Sequence, residues 1–461
     1  MIGKSLYSTG LSYLGAVLAK PDPVLHVQAY LMCTIHALHS PSSQAVLSMI
    51  SMTMRCCVIS QLHLSINETQ VRDASSLLKT QIRRRVFWST YSIDRLVSWI
   101  YHVPCSLADE NIQTELFANI SDCEIKEWGP KSPSQEKEFV PRQTQVSSAL
   151  HLIRVRRIQS RILSIMMRAD FEKNLLFSHS WRLHLLEELE QWRRQLQPHS
   201  DPQSRGYTSQ GWVGMAYNYT ILLLYRPTVE NVRGMVGERC LRACAEILST
   251  FRQYQKDRHT AQLWPGLLSQ FGVGITLLYC LWATPPSYRS DAYRLPRIST
   301  AVRTCSVILA VFAEQWREAD PLRDLFDTLS ESTPIGSLST SVVGTYNIPA
   351  QTMSWIHSVM PHIISLVVNR DICRMILDMI SDRNPWQDAG YNDCITAWSW
   401  EDLHSPHECH LCQNQKEWDP QGASSWQIGE ELSMEAGTEG PLDALSDELL
   451  SFPGLFGSAE F

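Results

Sequence analysis

Between Glu417 and Phe461 the chain has ten acidic residues and not one lysine or arginine. The net charge is −7 overall, so the rest of the chain stands near +3. That balance excludes a protein-wide basic footprint for nucleic acid. Long apolar runs are also scarce: Phe271–Ala283 and Ile363–Val368 with its flanks are too short to span a bilayer. The opening MIGKSLYSTGLSYLGAVLAK lacks a clean hydrophobic region, being broken by Ser, Thr, Tyr and Gly, and does not read as a signal peptide. No stretch alternates with strand periodicity for long enough to claim a sheet. There is no Gly-x-Ser-x-Gly elbow, no Gly-rich phosphate loop with Lys and no zinc-protease helix, so no enzyme is expected. Thirteen cysteines, scattered singly or inside apolar patterns, read as reduced thiols rather than a disulfide framework. The sequons at Asn67, Asn119 and Asn218 then read as chance.

What is present is helical. A hydrophobic content of 44% over 461 residues allows a large core. Val24 to Leu64 reads as two helices split by His39-Ser40-Pro41-Ser42-Ser43. His26, His36, His39 and His63 share no spacing with acidic or sulfur partners, and read as face or capping residues rather than ligands. Asp122 to Gln145 is Glu-, Lys-, Ser- and Pro-rich without periodicity and reads as an exposed loop. In the helix SSALHLIRVRRIQSRILSIMM, Leu150, Ile153, Ile158, Ile162 and Ile165 form an apolar side. Arg154, Arg156, Arg157 and Arg161 fill the rest, a solvated face rather than a nucleic-acid contact. Trp181–Pro198, the apolar WVGMAYNYTILLLYRP, Cys240–Phe251, Leu263–Trp282 and Ile298–Glu318 continue the series. Residues 331–352 read as a linker, residues 353–383 as one additional helix, and residues 384–461 as a largely disordered tail.

The most informative stretch is Ile82 to Leu116. Val86, Thr90, Ile93, Val97 and Ile100 recur as an apolar helical stripe. Arg84, Trp88, Tyr91 and Arg95 share another face, where two guanidinium groups can lie against two rings. Pro104 ends the run, and Ser106 with Asp109 looks like an N-cap opening a second turn. This stretch closely resembles the most characteristic segment of the fungal-specific transcription factor domain, the regulatory middle region of fungal binuclear zinc-cluster activators. The resemblance rests on Arg83-Arg84-Arg85, Phe87-Trp88, Asp94-Arg95, His102-Val103-Pro104, Leu107 and Asp109-Glu110-Asn111-Ile112. His102-Val103 stands where Gly-Arg is usual, and Phe117 where proline is common. Gln28-Ala29, Arg55, Leu62-His63-Leu64, Trp192, Arg226-Pro227, Trp316 and Pro321–Phe326 extend the likeness in order from Val24 to Leu329.

The resemblance implies an all-α fold, with a large multi-helix regulatory domain over residues 1–330 and a disordered acidic C-terminal tail. Arg84, Trp88, Tyr91, Asp94, Arg95 and Pro104 would be its structural motif residues. The family's DNA-binding module needs six cysteines bunched in about 30 residues to hold two zinc ions. Residues 1–30 hold no cysteine and no six are bunched elsewhere. Zinc is therefore expected only in a missing N-terminal module, and no cofactor in this chain. Either that module is encoded upstream, or the protein works without binding DNA itself. The CxxC at Cys409 and Cys412, with His407 and His410, supplies zinc-type ligands but no second pair to close a fold, and no metal site is assigned.

Residues 417–461 interleave acids with large apolar residues. Leu442, Leu445, Leu449 and Leu450 share one face of an induced helix, Asp443 and Asp447 lie among them, and Phe452 and Phe456 follow. Such a segment reads as an activation segment for a coactivator groove. The reading is a nuclear regulator of RNA polymerase II transcription, an activator specific to a pathway or gene cluster. Its partners would be the coactivator machinery, a second copy or related regulator in a dimer, and DNA only through the missing module or a partner. No membrane partner is expected. The alternative is a DNA-binding-deficient partner or antagonist that dimerises with an intact regulator.

Overall fold

Five helix starts are set by capping side chains. Asp22 accepts from the amides of Val24 and Leu25, with Pro23 at the first helical position. Ser42, Ser209 and Asn369 cap three more helices in the same way. Asp73 and Ser76 form a reciprocal capping box. The computed structural model describes residues 2–66, 68, 70–127, 144, 146–171, 180–196, 209–258, 263–294, 296–332 and 348–381. All of these lie within one body, residues 1–391. Among them are fifteen α-helices and no strand. They are α1 (Ile2–Ser12), α2 (Leu14–Leu18), α3 (Pro23–Leu38), α4 (Ser43–Ile59), α5 (Ala74–Tyr101), α6 (Asp122–Glu127), α7 (Ser147–Met166), α8 (Ser180–Leu196), α9 (Gln210–Tyr225), α10 (Met235–Lys256), α11 (Trp264–Ala283), α12 (Pro296–Gln315), α13 (Asp320–Ser332), α14 (Ala350–Val367) and α15 (Arg370–Ile380). The all-α expectation holds.

Three apolar cores organise them. The largest gathers α10 to α15 and the ends of α4 and α5, with α9 packed against it. A second joins α7, α8 and α9. A third joins α3, α4, the middle of α5, the start of α7 and Phe117. The 28 residues of α5 reach two of these cores. Its central residues Val86, Phe87, Trp88 and Tyr91 enter one, and Val97, Ile100 and Tyr101 at its end enter the largest. At 1.5 Å per residue the helix is about 42 Å long, enough to tie the two together.

Several expectations change. The single helix read over residues 353–383 is two, α14 and α15, divided where Val368 takes φ +60° and Asn369 begins a new cap. Both share the largest core with α10–α13, so they belong to this body rather than standing apart. The 331–352 linker begins and ends in helix, at Ser332 of α13 and Ala350 of α14. The exposed loop read over residues 122–145 opens with α6, whose Ile125 is buried. Ser106 is not a cap: a 3-10 turn at Asp109–Asn111 starts from Ala108. Finally, α11 and α12 are long and apolar enough by composition to cross a bilayer. In α11 that apolarity serves the core, where 17 of its 20 residues are buried. Asn218 is buried and donates to Glu246, which leaves its sequon no access to a glycan.

Candidate functional site

Gln81, Arg84, Trp88, Tyr91 and Arg95 step along α5 at alternating spacings of three and four, which places them on one helical face. The segment after the helix runs back along that face and bonds to each. Gln81 Oε1 accepts from the Ala118 amide at 2.8 Å. Arg84 Nη1 donates to Leu116 O at 3.1 Å, and Trp88 Nε1 to Glu115 O at 2.8 Å. Tyr91 Oη donates to Asp109 Oδ1 at 3.0 Å. Arg95 Nη2 donates to Leu107 O at 2.5 Å and to Asp109 Oδ1 at 2.7 Å. The rungs run in opposite chain order, 81 to 118 and 95 to 107, so the face zips the returning strand of chain into place.

Arg95 is the deepest rung. Its side chain is fully buried, pairs with Asp94 Oδ2 at 2.6 Å and donates to Ser160 Oγ on α7 at 3.1 Å. Its guanidinium carbon sits 4.0 Å over the Tyr91 ring. Burial works against the Arg95 charge, but Cys105, Tyr91, Asp94 and Asp109 together hold its pKa above the ordinary value. Burial likewise pushes the Tyr91 phenol up, so it stays a donor to Asp109. The second expected ring contact does not form. Arg84 turns to Glu68, Glu115 and Leu116 instead, because a fork between two carboxylates offers paired hydrogen bonds that a ring does not. The Ser106 amide donates to Asp94 Oδ2 at 3.3 Å.

Three helix ends meet next to this ladder. His102 caps α5 in the left-handed region at φ +52°, and Arg226 caps α9 at φ +42°. Asp371, in the first turn of α15, receives both: His102 Nδ1 at 3.0 Å and Arg226 Nη2 in close contact. Asn369 Nδ2 donates to Ile100 O at 2.8 Å, fastening the start of α15 to the end of α5. A non-glycine residue in the left-handed region costs about 1 kcal/mol. At His102 the pairing with Asp371 offsets that cost. Burial is the main cause that holds the His102 pKa below its ordinary value; Arg226, Arg370 and Arg374 add to it and Asp371 opposes.

Beside this junction lies a cavity of about 90 Å³, lined by residues of α5, α9, α11 and α15 and by Met166 of α7. Of the six motif residues read from sequence, Arg84, Trp88, Tyr91, Asp94 and Arg95 converge on the ladder, while Pro104 is exposed and the helix already ends at Tyr101. Gln81 and the His102–Asp371–Arg226 junction were missed. Gln81 sits at the right helical spacing and could have been found; Asp371 is 269 residues from His102 and no local pattern links them. Among the described residues no group of His, Cys, Asp or Glu could hold a metal ion. Cys409, Cys412, His407 and His410, and the segment from Leu442 to Phe456, lie outside the described residues.

The fungal specific transcription factor domain matches the chain over residues 14–194, which takes in the ladder, α2 to α7 and most of α8. The pyrimidine pathway regulatory protein 1 of Saccharomyces cerevisiae is 21% identical over 279 residues, 58% of this chain and 30% of that protein. The transcriptional activator protein acu-15 of Neurospora crassa is 28% identical over 193 residues, 40% of this chain and 20% of that one. The positive regulator of purine utilization of Emericella nidulans is 23% identical over 310 residues, 57% and 28% of the two chains. The chain thus spans less than a third of the length of these relatives. No solved structure matches it at a significant level.

Proposed function

We propose that this chain carries the regulatory body of a fungal zinc-cluster-type regulator of RNA polymerase II transcription, acting in the nucleus as an activator of a specific pathway. The observation that carries the reading is the domain match over residues 14–194, centred on a sequence whose motif residues form a continuous structural ladder. The relatives' names, a pathway regulator, an activator and a positive regulator, agree with it. The body's role is to present and restrain, not to catalyse. The acidic segment 417–461 supplies the contact with coactivators through Leu442, Leu445, Leu449, Leu450, Phe452 and Phe456. DNA contact would come through a zinc-bearing module or through a partner.

The test tethers the whole chain, and separately residues 417–461, to an unrelated DNA-binding domain at a reporter. Activation by the segment alone is expected, with lower output when Leu449, Leu450 and Phe452 become Ala. A reporter that stays silent under both fusions sinks the activator reading. Repression by the whole chain would instead favour the partner or antagonist.

A further inference from the structure

The cavity at the helix-end junction offers about 90 Å³ and is partly open to solvent. Interior waters each need about three hydrogen bonds. The lining residues offer three buried polar atoms without a partner: Trp99 Nε1, His102 Nε2 and Arg226 Nε. Other polar groups in the lining are already used. Thr276 Oγ1 donates to Gly272 O, and Asn369 Nδ2 donates to Ile100 O. The remaining walls are mostly apolar, from Leu222, Leu223, Val273 and Met375 among others. Waters held against such walls would leave part of their bonding unmade, whereas an apolar body with one polar group would not.

We propose that this cavity binds a small, neutral, mostly apolar molecule bearing one hydroxyl. The hydroxyl hydrogen goes to His102 Nε2, which is buried without a partner, in the neutral imidazole whose Nδ1 lies 3.0 Å from Asp371 Oδ2. The hydroxyl oxygen accepts from Trp99 Nε1 or Arg226 Nε. An anion is disfavoured, because the Arg226 charge is already answered by Asp371. The binding step does not depend on the transcriptional reading. Where that reading holds, occupancy ties the ends of α5, α9 and α15 to one ligand and gives the body a way to sense it.

Phenol is the probe, and toluene is its match in size without the hydroxyl. Binding to the whole chain is followed by saturation-transfer NMR and by the shift in melting temperature. Phenol should bind about ten-fold more tightly than toluene, the worth of one or two buried hydrogen bonds. His102→Phe and Trp99→Phe should each bring phenol close to toluene while leaving toluene unchanged. Leu223→Trp, which fills the space from a half-buried position, should weaken both probes. Equal binding of phenol and toluene to the native chain overturns the proposal. So does tighter binding of benzoate than of phenol, which would make this an anion site. Absence of saturable binding up to about 10 mM, where a millimolar ligand saturates, overturns it as well.

Discussion

Tyr91 and Arg95, one helical turn apart on α5, close on the same oxygen of Asp109, at 3.0 and 2.7 Å, while the guanidinium lies 4.0 Å over the Tyr91 ring. The stacking and the shared acceptor reinforce one another. The ring shields the ion pair from water, and the carboxylate fixes the ring's hydroxyl. Through Asp109 the helix holds the segment that returns beside it, so a buried charge here helps order residues 107–118 rather than one contact.

Replacing Arg95 by Met should therefore be among the most damaging changes in the body. It leaves the Asp94 carboxylate buried and Leu107 O without its donor. A loss of about 3–5 kcal/mol is expected in denaturant unfolding, the scale for breaking a buried pair. Adding Asp94→Asn and Asp109→Asn to the same chain should recover part of that loss. Equal stability of the single and triple variants would show that the charge pairing is not what matters.

The ladder also predicts a local signature in hydrogen exchange. Gln81→Leu removes the acceptor of the Ala118 amide and leaves the Ser106 amide on Asp94 untouched. Exchange at Ala118 should speed up by about ten-fold, the equivalent of one hydrogen bond, with Ser106 unchanged. Faster exchange at both positions would mean that the segment opens as a unit and that the rungs are not separable.

Acid should weaken the helix-end junction. Burial holds the His102 pKa below 6.5, with Arg226, Arg370 and Arg374 acting in the same direction and Asp371 against it. Below pH 6.5 the unfolded chain takes a proton that the folded chain refuses, so this contribution is full above that pH and declines as the pH falls. His36 and His63 are depressed by burial too, so the native slope sums several groups. Unfolding free energies at about pH 7.5 and about pH 5.5 should differ less in His102→Phe than in the native chain. An unchanged slope would remove His102 from the account.

What the sequence showed and what it hid follow from range. The apolar stripes and the face shared by Arg84, Trp88, Tyr91 and Arg95 are local patterns, and their residues are helical in the structure, whereas the cap read at Ser106 is not one. The turn at residue 102 was legible only as a departure, His for Gly. Its resolution needs Asp371, which a single-chain pattern cannot supply. The break between α14 and α15 was missed because Val368 and Asn369 look unexceptional inside an apolar run, and only the left-handed φ at Val368 and the Asn369 cap reveal it. Asp94 was placed by resemblance, while its task of accepting from both Arg95 and the Ser106 amide is a tertiary fact.

Two glycines give a contrast that checks the packing of the largest core. Gly274 lies on α11 where a Cβ would collide with Cys305 Sγ of α12 and the Phe326 ring of α13, both fully buried. Gly214 lies on α9 with nothing within 4 Å of the corresponding position. Gly274→Ala should destabilise by about 1–3 kcal/mol through overpacking. Gly214→Ala should stabilise by about 0.5–1 kcal/mol, because alanine loses less backbone freedom in a helix and meets no obstacle. Combining Gly274→Ala with Cys305→Ala relieves the sulfur contact but not the ring, so only part of the loss should return. If Gly274→Ala proved neutral in thermal unfolding, α12 and α13 would have to yield more readily than their buried faces allow, and the close approach at Gly274 would not be a constraint on the fold.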